Sequence, residues 1–342
     1  MTTIELQESF VNEQRIPVVL RARRGADATV AEICAHLERQ HGWLQGLLDR
    51  HGAFLLRGFG AIESAADFER VIAGFSPRFL DYIGGTSPRR TIYGKILSST
   101  ELDPSTSLPL HQEMVYTDGP PDFVSLFCQC PPEHDGQTTL ADMSQVARRL
   151  PADLVQRFER GGVRLRRTLP SQARAHEKVG VAKPWEEVFQ TRDAREAERI
   201  VWQRGWSCHW IDDFMQVAQE LRPATTRHRR TGTCVWYNQA HFFSPAGSIH
   251  WALRDGRIAQ ARALESALKT QPDMLDQVLH EDGSFIASSD IETICDTLAA
   301  SEILLEWQRR DVLLVDNVLC AHGRRPFSGR RSLLAALLRE RE

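Results

Sequence analysis

The pattern His111-Gln112-Glu113, with His322 more than two hundred residues further on in LLVDNVLCAHGRRPFSGRR, constrains this chain more than any other feature. Two imidazoles and one carboxylate are the donor set of the non-haem Fe(II) facial triad, in which three coordination positions stay open for a chelating cosubstrate and dioxygen. Residues two apart on a strand share a face, so His111 and Glu113 can grip one ion if SLPLHQEM is extended or just leaving a strand. The third donor must come from a separate element, and His322 follows the apolar run DVLLVDNVL, which reads as a buried strand. That order suits a site assembled inside a β-barrel. H-x-E alone is a weak signal that recurs by chance, and its surroundings supply the specificity.

Beyond His322, Arg330 and Arg331 follow the turn-like Pro326-Phe327-Ser328-Gly329 and lead into the apolar SLLAALL. A dicarboxylate that chelates iron through its 2-oxo-acid end needs a fixed cation at its far end, and a guanidinium offers a bidentate fork. An arginine nine residues past the last histidine can sit on the adjoining strand and face the same cavity. A hydroxyl can share that carboxylate. Thr138 and Thr139 of DGQTTLADM offer one, in a segment that reads as a turn entering a strand.

Five ordered segments then carry a resemblance: GAFLLRGFG at 52–60, SLPLHQEM at 107–114, FCQCPPEHDGQTTLADM at 127–143, GTCVWYNQAHFF at 232–243 and VLLVDNVLCAHGRRPFSGRRSLL at 312–334. Together they resemble the Fe(II)/2-oxoglutarate dioxygenases of the taurine dioxygenase and clavaminate synthase-like type. The resemblance implies a mainly β fold with surrounding helices, a double-stranded β-helix of the jelly-roll, cupin-like kind. It implies Fe(II) held by His111, Glu113 and His322, and 2-oxoglutarate anchored by Arg331, in preference to Arg330, together with Thr138. Dioxygen would be reduced as 2-oxoglutarate is decarboxylated to succinate, and the coupled step would cleave a C–H bond.

The intact Glu113 favours hydroxylation over halogenation, because related halogenases lack that carboxylate. Members that oxidise taurine carry another arginine shortly after the cosubstrate arginine, where this chain has Ala335 and Ala336, so a sulfonate substrate loses support. WEEVFQT and TGTCVWYNQAHFF are most similar to a subgroup that β-hydroxylates amino acids in specialised metabolism, including antibiotic biosynthesis. The implied partner is a small amino-acid-like substrate, free or tethered to a carrier protein. Desaturation, epoxidation and cyclisation use the same cofactors and stay open. So do two readings of other classes, a non-catalytic barrel acting as a binding module and a cupin-like hydrolase or isomerase.

Composition narrows the field further. At 342 residues the chain reads as one catalytic unit spanning 1–342 rather than two domains, and 42% hydrophobic with 25% charged residues describes an ordinary globular chain. A net charge of −3 makes no case for nucleic acid. Seven cysteines at scattered positions are not a disulfide framework. With no signal-peptide core in MTTIELQESF and no membrane-length apolar run, the expected location is cytoplasmic.

Along the chain, ADATVAEICAHLERQHGWLQGLLDRHG repeats apolar positions at helical spacing, and Ala53–Gly58 reads as a strand ending in a glycine turn. SAADFERVIAGF reads as a further helix, and residues 78–107 as a turn-rich stretch that could form part of a lid. FVSLFCQC and GQTTLADM are expected to pair as a hairpin across PPEHD. Residues 144–230 are expected to be a helical insertion covering one mouth of the barrel. RSLLAALLRERE consists of strong helix formers, but the resemblance puts a strand at 331–337.

Other residues weigh less. Cys128 and Cys130 read as strand thiols rather than a metal pair. His209, His228 and His241 read as surface or hydrogen-bonded histidines. Asn238, beside Trp236-Tyr237, is either a substrate-pocket residue or the cap of a turn. Asp316-Asn317 is expected to fix the turn that aims His322, and Arg324 with Arg325 to lie on a solvated face.

Overall fold

The computed structural model describes residues 4–22, 28–82, 87, 89–179 and 183–341. Its centre is a pair of facing sheets. The larger contains β1 (Leu6–Phe10), β2 (Val18–Ala22), β3 (Ala53–Arg57), β4 (Thr91–Tyr93), β5 (Ile96–Ser98), β7 (Phe123–Cys130), β17 (Val312–Asp316) and β20 (Ser332–Leu338), in the order β1-β2-β3-β17-β7-β20-β5-β4. The smaller contains β6 (Leu108–His111), β9 (Thr138–Asp142), β16 (Ile303–Leu305) and β18 (Cys320–Arg324), in the order β16-β9-β18-β6. This is the jelly-roll architecture.

Alternation along each strand sorts the apolar side chains between the two faces. On β20, Leu334, Ala336 and Leu338 join the layer under helices α1 (Val30–Arg39), α2 (His41–His51) and α3 (Ala65–Ala73), while Leu333, Ala335 and Leu337 face the barrel interior. A central strand buried on both faces reads as a continuous apolar run. Packing on both sides therefore overrides the helical propensity of SLLAALL, and the strand expected at 331–337 forms. On the smaller sheet, Leu110, Ala141 and Ala321 pack outward and Leu140 and Cys320 inward. The outward layer is covered by α4 (Met143–Arg149), α5 (Ala152–Gly161), α8 (Ala240–Phe243), α9 (Pro245–Arg254) and α11 (Ser288–Ala299).

Two expectations are corrected. FVSLFCQC and GQTTLADM do not form a hairpin, because β7 pairs with β17 and β20 in the larger sheet and β9 with β16 and β18 in the smaller. PPEHD carries the chain from one sheet to the other. Its short strand β8 (His134–Asp135) pairs instead with β19 (Phe327–Ser328).

The insertion is not simply helical, and it runs on to residue 302. Besides α6 (Trp185–Phe189), α7 (Ala194–Gln203) and α10 (Ile258–Thr270), it holds a four-stranded sheet of β10 (Arg164–Leu169), β11 (Ser207–Ile211), β12 (Phe214–Ala218) and β15 (Gln277–Leu279), plus the ribbon of β13 (Thr225–Arg227) with β14 (Cys234–Trp236). Arginines at 164, 166 and 167 hide the strand period of RLRRTL, in which Leu165 and Arg167 are buried while Arg164 and Arg166 are only partly covered. Among the described residues, no helix is long and apolar enough to cross a membrane.

Candidate active site

His111 closes β6 and Glu113 stands two residues on, just before Met114 turns into the left-handed region at φ 57°. His322 occupies the middle of β18, directly across from His111 in the antiparallel register. This register brings two side chains distant in sequence onto one interior face. Glu113 Oε2 lies 3.8 Å from His111 Nε2 and 3.7 Å from His322 Nε2. With metal–ligand bonds of about 2 Å, donors at this spacing can meet one ion.

The tautomers suit that role. His111 Nδ1 donates to the Pro109 carbonyl at 2.9 Å, so its Nε2 keeps a lone pair toward the site. Burial, with His111 alongside, pushes the His322 imidazole down to about 4, which keeps it neutral at neutral pH. Its Nδ1 is buried with no hydrogen-bond partner among the described residues. Burial alone would raise the Glu113 carboxyl, but Arg89 and the two imidazoles outweigh it and hold that carboxyl well below the usual range. Arg89 Nη2 donates to Glu113 Oε2 at 2.6 Å.

The backbone around these donors is clamped from afar. Asn317 accepts from Glu113 N at 2.6 Å and donates to Glu113 O at 2.9 Å. Asp316 Oδ1 accepts from Val318 N and Leu319 N, fixing the turn into β18. Gln112 donates to Trp236 O and Val318 O, and the His241 ring bonds Leu110 O through Nε2. Gly323, next to His322, has no room for a Cβ, which would come within 2.4 Å of Leu108 O. Glycine is what lets β18 sit this close to β6.

Two residues along β9 from Leu140, the register partner of His322, stands Thr138, one of the residues expected to anchor a carboxylate. Thr138 is 1% exposed, and its Oγ1 accepts from Trp307 Nε1 at 3.0 Å, leaving the hydroxyl hydrogen available. Arg331 is partly buried just before β20, with Nε donating to Gly136 O at 3.3 Å and the guanidinium 5.4 Å from the Phe327 ring centroid. No carboxylate of the described residues lies within ion-pair distance of it. Burial, and Arg324 beside it, push Arg331 down to about 9, so it stays charged at neutral pH. A cation with no carboxylate partner among the described residues, bonded to the carbonyl of Gly136 two residues before Thr138, fits the distal carboxylate of 2-oxoglutarate. Gly136, at φ 68°, would place a Cβ 2.7 Å from Phe327 Cβ, so this turn too requires glycine. Arg330 is exposed.

Arg324 is a correction. It is 6% exposed rather than solvated, because it sits opposite Thr138 on the inward face and donates to Asp103 O and Thr106 O. Arg325 pairs with Glu302. Asn238 is buried, donating to Ala224 O and accepting from Ala240 N, and it borders a separate hollow with Val163 and Tyr237. Cys128 and Cys130 are free thiols on β7, and His209 lies on β11.

His228 belongs to the other His/acid cluster among the described residues, with Asp49 and Asp316. There Arg230 already bridges Asp49, Asp316 and Glu340, so the cluster reads as an ion-pair network. Arg89, Trp307 and the grip of Asn317 on Glu113 escaped the sequence reading. Their partners lie 24, 169 and 204 residues away, and no local pattern marks them.

A jelly roll whose interior joins two imidazoles and a carboxylate at one point, with an arginine that has no carboxylate partner among the described residues further along, defines a non-haem iron oxygenase of the 2-oxoglutarate class. The profile of the family described as "Taurine catabolism dioxygenase TauD, TfdA family" matches residues 17–337, and the chain belongs to that family. Its enzymes are dioxygenases that use Fe(II), 2-oxoglutarate and O2. Dapdiamide synthesis protein DdaC of Enterobacter agglomerans is 26% identical over 314 residues, covering 92% of this chain and 88% of that protein. A clavaminate synthase-like protein of Arabidopsis thaliana is 28% identical over 309 residues, covering 88% and 86%. Among solved structures, asparagine oxygenase in complex with Fe(II), 2S,3S-3-hydroxyasparagine and succinate shares the fold with a TM-score of 0.54 at 13% identity, covering 94% of this chain and 93% of that one.

Proposed function

We propose that this enzyme hydroxylates an unactivated C–H bond of an amino acid or a small amino-acid derivative in specialised metabolism. His111, Glu113 and His322 hold Fe(II), and Arg331 with Thr138 holds the distal carboxylate of 2-oxoglutarate. The observation that carries the reaction type is the Glu113 carboxylate, 3.7 and 3.8 Å from the two imidazoles, which fills the position a halide would need. The amino-acid substrate class draws support from the relatives, since DdaC is a dapdiamide synthesis protein and the asparagine oxygenase structure holds a hydroxylated asparagine.

Bound Fe(II) supplies the oxidising chemistry, and the chain supplies position and exclusion of water. His111 is held by Pro109 O in the tautomer that presents Nε2, and Asn317 holds the Glu113 backbone on both its N–H and its C=O. Arg331 and Thr138 together offer a charged fork and a hydroxyl to one carboxylate, which orients the cosubstrate along the cavity.

The test is product mass spectrometry under 18O-labelled dioxygen, with succinate measured in parallel across a panel of amino acids. One labelled oxygen atom in the product supports hydroxylation. Loss of two hydrogens without label would assign desaturation instead. A chlorinated main product from the unmodified protein would overturn the reading.

A further inference from the structure

Arg89 carries more hydrogen-bond donors than the metal site uses. Its side chain is 4% exposed, and its Nη2 bonds the same Glu113 oxygen that faces both imidazoles. Nη2 also lies 3.5 Å from Thr100 Oγ1, while Nε and Nη1 are buried with no hydrogen-bond partner among the described residues. Buried donors of a charged group left without an acceptor are costly, and such groups recur where a ligand completes them.

The surroundings indicate the ligand's charge. The Arg89 guanidinium lies 4.6 Å from the Tyr82 ring centroid, and Lys183 approaches the same ring at 5.9 Å. Lys183 and Arg167 line a cleft that runs along Thr106–Pro109, the stretch leading to His111. Phe242, also in that wall, sits 5.6 Å from the His111 ring. Arg167 is 5% exposed and its Nε has no hydrogen-bond partner, with Asp276 4.0 Å away. Lys178 takes the close contact with Asp276 at 2.5 Å, and Arg257 is matched by Asp255. Arg167 and Lys178 thus share one carboxylate, Asp276, while Glu187 stands near Lys183. The excess positive charge on this wall sits at Arg167, and a carboxylate would answer both that charge and the empty donors of Arg89.

We propose that Arg89, backed by Lys183 and Arg167, is the receptor for a free carboxylate of the substrate. The enzyme then acts on an amino acid whose carboxyl group is free, not on a carrier-bound thioester, which has lost that group. This rests on the amino-acid reading above and narrows it.

The probes are the proteinogenic L-amino acids, their N-acetyl derivatives and the matching primary amides. Each is titrated anaerobically into enzyme loaded with Fe(II) and 2-oxoglutarate. The visible charge-transfer band of that complex reports cosubstrate binding by its presence and substrate binding by its shift. At least one free acid is expected to shift the band, with its amide bound weaker by roughly 30-fold or more, the scale of a lost charge-assisted hydrogen bond. Where the band still forms in Arg89→Gln, the acid should fall to the affinity of the amide; where loss of the Glu113 contact prevents the band, Lys183→Gln and Arg167→Gln carry the test.

Equal binding of acid and amide, an unchanged preference in Arg89→Gln, or no acid of the panel shifting the band would each overturn the proposal. If Arg89→Gln does not fold, Lys183→Gln and Arg167→Gln carry the test. Each should weaken the acid several-fold and leave the amide alone, and no change in either would overturn the proposal. Failure of the band to form in the unmodified enzyme would instead sink the iron and 2-oxoglutarate reading.

Discussion

Arg57 and Arg331 lie at the ends of strands in the same sheet and are treated in opposite ways. Arg57, closing β3, donates Nε and Nη2 to Asp311 at 2.9 and 2.5 Å and Nη2 also to Glu306 O at 2.7 Å. Asp311 accepts further from Gln308 N at 2.8 Å, and burial still raises its carboxyl against the pull of Arg57. Arg331, entering β20, has one long bond to a carbonyl and an aromatic ring, and no carboxylate. The arginine that holds the fold is saturated by the fold, whereas the one proposed to serve a ligand keeps donors open. Arg89 combines both, with one nitrogen on Glu113 and two unmatched.

The sharpest test removes an open donor atom from the metal site. His111→Ala or His322→Ala should abolish Fe(II)-dependent succinate formation while far-UV circular dichroism stays native, since each takes away one of the three proposed ligands. Near-normal turnover in either variant would undo the assignment.

Breaking the saturated pair should act on stability. Arg57→Ala leaves Asp311 buried and unmatched, so urea unfolding should show a loss of about 3–5 kcal/mol, with the 2-oxoglutarate requirement unchanged. Arg331→Ala should do the reverse, raising that requirement by the equivalent of about 2–5 kcal/mol with little change in unfolding midpoint. Arg330→Ala, at an exposed position, should do much less. If Arg57 governed cosubstrate binding, or Arg330 outranked Arg331, the contrast between saturated and open arginines would fail.

The smallest effect is in pH dependence. Burial pushes His322 and His241 down to about 4 in the folded protein, against about 6.5 in an unfolded chain. Between those values the unfolded state binds more protons. Their contribution is therefore complete above about 6.5 and is lost as pH falls toward 4, with a slope approaching about 1.4 kcal/mol per pH unit for each histidine. Urea titrations of the metal-free protein at a series of pH values measure this slope, and His241→Gln should reduce it. A stability that stays flat over that range would mean that the two imidazoles are not buried as described.

Legibility in the sequence followed distance along the chain. His111 and Glu113 share a face because a strand has period two, and the turns at Asp135-Gly136 before Thr138 and Pro326–Gly329 after His322 announced themselves by residue type. The inserted sheet stayed hidden because arginines on RLRRTL mask its alternation until Leu165 and Arg167 are seen to face inward. Arg324 looked like surface because nothing nearby reveals that Asp103 O and Thr106 O will receive it.

By itself, then, the sequence determined the chemistry available: which donors exist, which neighbours share a face, and that five ordered segments belong to one kind of enzyme. Only the tertiary structure decided which sheet each strand joins, that Asn317 grips Glu113 from 204 residues away, and that Arg89 reaches the same carboxylate with two donors to spare. The physical reason is that periodicity and propensity act over a few residues. The cost of burying a charge, in contrast, is settled only when the whole fold has placed, or withheld, its partner.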